Sequence, residues 1–329
     1  MIKRIKMNNE DKIITEKAAY LATFAGAQAE GFFAYDATCP RPIPTGLPHV
    51  DMMLGGGFEY GNLYVLASAP GMGKTTLADQ IAVSISANGH DVIYVSLAED
   101  TIDLMIKGIS RCSLEISEDN AITTWQLDGA YRGDRRYSDF SDVQRATLEL
   151  ARARYAKQAE KLYIVDIPII MDELESIVES RETLTGRKPF VVIDFLQLLS
   201  LIGESDKQKC LSISDRDNNN VMRLKKLAFN HKIPMLVITS VCSTSYYTSV
   251  SLESLKHSRG IDNTADVVLG LQPSKYSFND IRAGKRAMAE TMANDVREMS
   301  LSCVKNSDGK FGKVELLYKS SYSLFEEMK

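Results

Sequence analysis

The chain has 329 residues, 44% of them hydrophobic and 25% charged, which are the proportions of a globular protein with a sizeable core. A formal net charge of −4 excludes a general attraction to nucleic acid, so a nucleic-acid partner would have to meet a local basic surface. The five cysteines are far apart and form no CxxC pair, so neither a zinc site nor a disulfide framework is predicted.

The first part of the chain predicts a helical arm. Met1–Lys6 is basic, but no apolar run follows it, and no stretch approaches the roughly 18 apolar residues of a membrane span, so we expect a cytoplasmic protein. Apolar residues at helical spacing predict one amphipathic helix over 8–34, and the sequence CPRPIP at Cys39–Pro44 is too rich in proline for a helix or a central strand. We therefore divide the chain into an N-terminal arm with a proline-rich linker, 1–44, and a main domain, 45–329.

The main domain alternates short apolar strands with helices. The predicted strands are Leu63–Ser68, Asp91–Leu97, Lys161–Asp166, Phe190–Phe195, Pro234–Ser240 and Ala265–Leu271. Continuous apolar strands separated by helices predict a mostly parallel sheet covered on both faces, which is an α/β fold.

The end of the chain has a different pattern. Met299–Lys305 and Lys313–Lys319 flank a turn at Asp308–Gly309 and predict a β-hairpin. Two polar stretches, Gly203–Asn220 and Pro273–Glu298, are predicted to be mobile insertions, the second of them with a polar helix.

The sequence SAPGMGKTT lies between the first predicted strand and a predicted helix, and it indicates a phosphate-binding loop, or P-loop. Its residues are Ser68, Ala69, Pro70, Gly71, Met72, Gly73, Lys74, Thr75 and Thr76. Small residues let backbone N–H groups surround a β-phosphate, while Lys74 would reach the β- and γ-phosphates and the Thr75 hydroxyl would ligate Mg²⁺. Although the strict pattern has Gly where this chain has Ser68, the motif predicts binding of ATP and Mg²⁺.

Two carboxylates at strand ends complete the predicted site. Asp194 ends the strand FVVID, where a carboxylate can hold Mg²⁺ through water. Hydrolysis also needs a general base for the attacking water, and Glu99, after the strand YVSL, is the candidate. Alternatively, Glu99 and Asp100 only favour the start of the next helix.

These motifs, in this order, resemble the RecA-like ATPase domain of the DnaB-like hexameric replicative helicases. The resemblance runs from about Thr45 to Leu317, and its most specific strings are VIDFLQLL at Val192–Leu199 and SLKHSRGIDNTADVVLGL at Ser254–Leu271. The glycines Gly55–Gly57 also resemble those of RadA and KaiC relatives, which share the fold. The resemblance implies a RecA-like P-loop fold with a C-terminal β-hairpin.

The resemblance also implies a ring, usually of six subunits, with ATP at each interface, which travels along single-stranded DNA in DNA replication. By the same resemblance, Gln197 would contact nucleotide or relay its state to DNA-facing loops near Leu201–Asn220 and Ser243–Arg259. Ser240 stands at the position that senses phosphate, and Lys305 matches a lysine that is presented to the neighbouring subunit's γ-phosphate.

Three positions depart from the family pattern. The family's glutamate position is Ala98 here, with Glu99 one residue later, and Ser240 replaces a Gln or His. Ser307 replaces the arginine finger, a residue that is worth about 10³–10⁵ in turnover. The helicases' N-terminal primase-binding domain is also missing from this sequence, which favours an origin in a phage or mobile element.

Three functions stay open. The first is an ATP-driven helicase or translocase on single-stranded DNA. The second is a non-motor regulatory nucleotide-binding protein, such as a helicase loader or inhibitor, which the three departures favour. The third is a recombination ATPase like RadA, against which the missing zinc-binding cysteines count.

Overall fold

A computed structural model describes residues 40–134, 136–199, 213–258, 260–275, 281–307 and 311–328, and Pro42–Lys329 forms one unit. The strands of these described ranges are β1 (Leu63–Ser68), β2 (Val92–Ser96), β3 (Leu162–Val165), β4 (Phe190–Asp194), β5 (Met235–Ser240), β6 (Val267–Pro273), β7 (Val296–Asn306), β8 (Lys313–Lys319) and β9 (Leu324–Glu327). They form one sheet in the order β3-β2-β4-β5-β1-β6-β7-β8-β9.

Helices cover this sheet. They are α1 (Pro48–Leu54), α2 (Lys74–Ala87), α3 (Thr101–Ile116), α4 (Thr124–Arg132), α5 (Asp142–Gln158), α6 (Met171–Thr185), α7 (Leu196–Leu199), α8 (Ile213–His231), α9 (Gly260–Thr264) and α10 (Ile281–Met292). Within the described ranges, none of them combines the length and the apolar character that crossing a membrane requires.

The parallel half of the sheet carries the strand ends that matter for function. All the side chains of β1, β2 and β4 are buried, because helices cover both faces of these apolar strands. Ser68 at the end of β1 pairs with Ser240 at the end of β5, and Ser96 at the end of β2 pairs with Asp194. The carboxyl ends of these strands therefore meet at one edge, where ligands bind in open α/β sheets. The predicted parallel sheet is confirmed.

The C-terminal part of the sheet is antiparallel. β7 pairs with both β6 and β8, so the predicted hairpin is confirmed. β9, which pairs with β8, was not predicted. The polar helix expected within Pro273–Glu298 is α10.

One predicted insertion is partly wrong. Although Gly203–Asn220 was expected to be a mobile insertion, its part from Ile213 onward is the first half of α8. Asn218 in this half accepts a hydrogen bond from the N–H of Gly260 at 2.6 Å. An asparagine of the kind that is common in loops therefore joins α8 to α9. The predicted helix over 8–34 lies outside the described residues.

The end of the predicted linker packs on the main sheet. Ile43 is fully buried and exchanges two backbone hydrogen bonds with Phe58, at 2.9 and 2.8 Å. The division of the chain at 44/45 stays a prediction.

Candidate nucleotide-binding site

The predicted P-loop joins β1 to α2 as expected from its sequence. Gly71 and Gly73 have φ angles of 76° and 88°, in the left-handed region that favours glycine. These turns bring the loop round to the start of α2, whose first N–H groups lack intrahelical partners and favour anions. A Cβ at Gly73 would lie 2.9 Å from Cζ of Phe325, so the cradle accepts only glycine there. This geometry fits the phosphates of a nucleotide.

Lys74 lies folded into this cradle. Its Nζ donates to the carbonyl oxygens of Ser68 at 3.2 Å and Ala69 at 3.1 Å. Burial lowers the pKa of Lys74 to about 8, and the negative charge of Asp194 opposes that shift. The amine is therefore a cation near neutral pH, and its hydrogen-bond partners are two neutral carbonyl oxygens. The negatively charged oxygens of a polyphosphate would replace these carbonyls as its partners.

Asp194 meets the P-loop at the end of β4. The residue is only 1% exposed, its Oδ2 accepts a hydrogen bond from Tyr94 Oη at 3.0 Å, and the Thr75 side chain also hydrogen-bonds the carboxylate. Burial raises the pKa of Asp194 to about 6, and the nearby charge of Glu99 adds to this, whereas the Thr75 and Tyr94 hydrogen bonds and the charge of Lys107 lower it. A hydroxyl and a carboxylate in contact are the oxygen ligands that Mg²⁺ prefers, so this pair fits the metal.

Glu99 lies in the loop between β2 and α3. Ser96 Oγ donates to the Glu99 carbonyl oxygen at 2.6 Å, and the Glu99 carboxylate forms an ion pair with Lys107 of α3. Because Ser96 pairs with Asp194 across the strands, Glu99 lies beside the Asp194 end of β4. The structure thus brings Lys74, Thr75, Asp194 and Glu99 together.

Gln197 and Ser240 lie at the same edge of the sheet. Gln197 Nε2 donates to Thr239 Oγ1 at 2.7 Å, and among the described residues its Oε1 is buried without a hydrogen-bond partner. Ser240 follows Thr239 and pairs with Ser68, the first residue of the loop. Gln197 is therefore connected through the end of β5 to the P-loop.

Lys305 lies apart from this group. Its Nζ donates to the carbonyl oxygens of Asp262, at 2.8 Å, and Ala265, which precede β6. Ser307 Oγ donates to the Asp266 carbonyl oxygen at 3.1 Å. Because β6 runs parallel to β1, both side chains point to the opposite edge of the sheet from the P-loop. Neither one belongs to the phosphate cradle of its own chain.

Two aromatic residues behind the P-loop were not predicted. Tyr318 of β8 and Phe325 of β9 stack with their ring centroids 4.3 Å apart, directly against Gly73. Gln80 of α2 holds the Phe325 backbone by two hydrogen bonds, each of 2.8 Å. The paired strands β8 and β9 therefore support the loop, and no sequence motif predicts this contact.

A cation on β7 was also missed. Arg297 Nη1 lies 3.4 Å from the Gly71 carbonyl oxygen, and its guanidinium carbon lies 5.5 Å from the centre of the Tyr318 ring. A second positive charge in the same chain thus lies beside the loop.

A buried ion pair ties the helices of the site together. Asp79 of α2 is 0% exposed and Arg111 of α3 is 4% exposed, with Arg111 Nη2 2.7 Å from Asp79 Oδ2. Arg111 Nη1 also donates to the Ser323 carbonyl oxygen at 2.8 Å. One guanidinium therefore fixes α3 and the β8–β9 turn to the helix that begins at the P-loop.

Comparison with known proteins gives one family for almost the whole unit. The pattern of the DnaB-like helicase C terminal domain matches residues 42–327. The replicative DNA helicase DnaB of Treponema pallidum (strain Nichols) is 27% identical over 289 residues, which cover 86% of this chain and 55% of that protein. The chain thus spans about half the length of this curated relative.

Two further proteins are similar to the chain, one over a short segment and the other in its fold. The DNA repair protein RadA of Mycobacterium tuberculosis (strain CDC 1551 / Oshkosh) is 36% identical over 86 residues, or 26% of this chain and 18% of that protein. The solved ATPase domain of G40P superposes with a TM-score of 0.74, at 20% identity, over 94% of this chain and 99% of that chain. At this identity the likeness shows the fold, which agrees with the predicted α/β class.

Proposed function

The chain belongs to the family of DnaB-like helicase C-terminal domains, and from this premise we propose that it binds ATP with Mg²⁺ and hydrolyses it to move along single-stranded DNA. The observation that carries the proposal is the grouping of Lys74, Thr75, Asp194 and Glu99 around one P-loop. They supply a cation that binds phosphate, two side chains whose oxygens can ligate Mg²⁺, and a candidate base, all at one edge of the sheet.

Each residue has a distinct role in this proposal. Lys74 exchanges the carbonyls of Ser68 and Ala69 for phosphate oxygens, and the loop N–H groups bind the β-phosphate. Thr75 and Asp194 hold Mg²⁺, which, when bound, screens the charge of the phosphates. Glu99 orients the attacking water and accepts its proton.

The proposal includes assembly of copies into a ring, with six subunits as the family resemblance implies. Lys305 would then serve the nucleotide of a neighbouring copy, because it points away from its own P-loop. The DNA-facing loops proposed near Leu201–Asn220 and Ser243–Arg259 fall partly outside the described residues.

Nucleotide binding and turnover of Lys74→Ala test the proposal first. We expect the variant to lose both ATP affinity and hydrolysis, since it removes the cation whose Nζ lies against the loop carbonyls of Ser68 and Ala69. Lys188→Ala is the matched control, because Lys188 pairs with Glu182 on the surface and should leave both properties unchanged. Wild-type affinity for ATP in Lys74→Ala would refute the assignment of the site.

A regulatory nucleotide-binding protein is the second candidate function. It is favoured by the neutral side chains of Ala98, Ser240 and Ser307 at positions where the family has charged or strongly polar groups. Such a protein would bind ATP tightly with negligible turnover, whether or not DNA is present. A RadA-like recombination ATPase is supported less, because that likeness covers 26% of the chain.

A further inference from the structure

The backbone around Glu99 is held on both sides, but its carboxylate has a separate support. Ser96 Oγ bonds the Glu99 carbonyl oxygen at 2.6 Å, and Asp100 caps α3 by accepting from the N–H of Asp103 at 2.8 Å. These contacts fix where the loop runs. They leave the direction of the Glu99 side chain to its partner on α3, Lys107.

Lys107 is well placed to fix that direction. Its side chain is 18% exposed and that of Glu99 is 29% exposed, so the pair is only partly screened by water. One helical turn further along α3, Arg111 is locked to buried Asp79. The buried pair of Arg111 with Asp79 therefore fixes α3 at Lys107. The ion pair with Lys107 in turn fixes the Glu99 carboxylate.

The charge of Lys107 also matters for the neighbouring carboxylate. Burial is the main cause that raises the pKa of Asp194; the negative charge of Glu99 adds to the rise, and the positive charge of Lys107 opposes it. Two carboxylates that repel each other must both be ionised for metal binding and base catalysis. The positive charge of Lys107 on α3 offsets this repulsion, so that both carboxylates can share one site.

We propose that Lys107 is a positioning residue, which holds the Glu99 carboxylate toward the attacking water through their ion pair. This inference rests on the proposed ATPase function. Lys107 touches the base rather than the nucleotide, so it acts on the rate of the chemical step and leaves ATP binding unchanged.

A double-mutant cycle in ATP turnover tests this role, with Lys107→Met, Glu99→Gln and the double variant in the 329-residue chain. We expect Lys107→Met to lower kcat by roughly 10- to 100-fold with KM little changed, which is less than the 10²–10⁴-fold that the positioned base itself supplies. In the Glu99→Gln background, Lys107→Met should lower the rate no further. Lys107→Arg should restore most of kcat, because it keeps the ion pair.

Two controls separate positioning from folding. Lys188→Met removes a surface lysine whose side chain is 45% exposed, and it should keep wild-type kcat. Lys107→Gln keeps a polar side chain of moderate length without the charge, and it should lower kcat even where its melting temperature equals that of the wild type.

The outcomes are distinct. Three results would overturn the role of Lys107 alone. The first is an equal fall in rate when Lys107→Met is added to wild type and to Glu99→Gln. The second is an effect confined to KM, and the third is wild-type kcat in Lys107→Met while Glu99→Gln has a lowered kcat. Absence of turnover in the wild type would overturn the proposed ATPase function and this role with it.

Discussion

Replacing Arg111 with methionine should destabilise the whole unit more than any ordinary surface change. Methionine keeps an apolar stem of similar length, but it removes both donors, the one 2.7 Å from Asp79 Oδ2 and the one 2.8 Å from the Ser323 carbonyl oxygen. The Asp79 side chain is 0% exposed, so its carboxylate would stay buried without a counter-charge. Breaking a buried pair on one side costs about 3–5 kcal/mol.

That free energy corresponds to a large shift in melting temperature. At about 2–4 °C for each kcal/mol in a domain of this size, we expect a fall of roughly 6–20 °C in Arg111→Met. Circular dichroism during thermal and urea unfolding measures it, and nucleotide-free protein should be used because a bound ligand shifts the midpoint.

Arg154→Met is the matched control for this experiment. Arg154 lies 3.3 Å from Glu115, with side chains that are 45% and 36% exposed, so its loss should cost at most about 1 kcal/mol. The double change Asp79→Leu with Arg111→Met should recover stability relative to Arg111→Met, because it removes the lone charge as well. If Arg111→Met destabilises the protein no more than Arg154→Met does, the buried pair does not hold the helices together as we argue.

Three further predictions concern the site itself. Gly73→Ala should abolish nucleotide binding, because its φ of 88° and the 2.9 Å approach of Phe325 both oppose a Cβ; binding at wild-type affinity in an equilibrium titration would contradict this. The ATP affinity should fall by up to about tenfold for each pH unit above 8, because burial lowers the pKa of Lys74 to about 8 and the amine loses its proton there. An ATP affinity that stays constant to pH 9.5 would show that this charge does not bind phosphate. Tyr94→Phe should raise the Mg²⁺ concentration for half-maximal turnover by roughly 10- to 150-fold, because Asp194 loses a hydrogen bond worth about 1.5–3 kcal/mol to a charged group. An unchanged Mg²⁺ requirement would count against Asp194 as a metal ligand.

The parts of the fold that depend on local pattern could be predicted from the sequence. The apolar run Leu63–Ser68 is β1 with the predicted bounds, and the glycines after it turn the chain into α2. Asp194 and Glu99 could be placed beside the P-loop because the carboxyl ends of parallel strands share one edge of a sheet. For these residues, position along a strand is sufficient to indicate position in space.

Contacts between distant parts of the chain could not be predicted. The sequence does not distinguish Asp79 from a helix-surface carboxylate, because its partner Arg111 is 32 residues away. The Ser323 carbonyl oxygen, which also accepts from Arg111, is 212 residues from that arginine along the chain. Phe325 lies against the P-loop although it is 245 residues from Gln80, which binds it. β9 is a short strand that ends in acidic residues, and it resembles a tail until its pairing with β8 is seen.

The ion pair of Glu99 with Lys107 has the same origin. Eight residues separate Glu99 from Lys107, and only the path of the loop, held by Ser96, shows that the carboxylate turns to this lysine. The sequence therefore indicated the candidate base without indicating what holds it.

Steady-state ATP hydrolysis by wild type and Glu99→Gln, each with and without single-stranded DNA, distinguishes a DNA-stimulated ATPase from a nucleotide-binding regulator. We predict turnover that single-stranded DNA stimulates and that Glu99→Gln lowers by about 10²–10⁴-fold while ATP binding persists. ATP binding without turnover in the wild type, whether or not DNA is present, would contradict this prediction and would make the protein a nucleotide-dependent regulator.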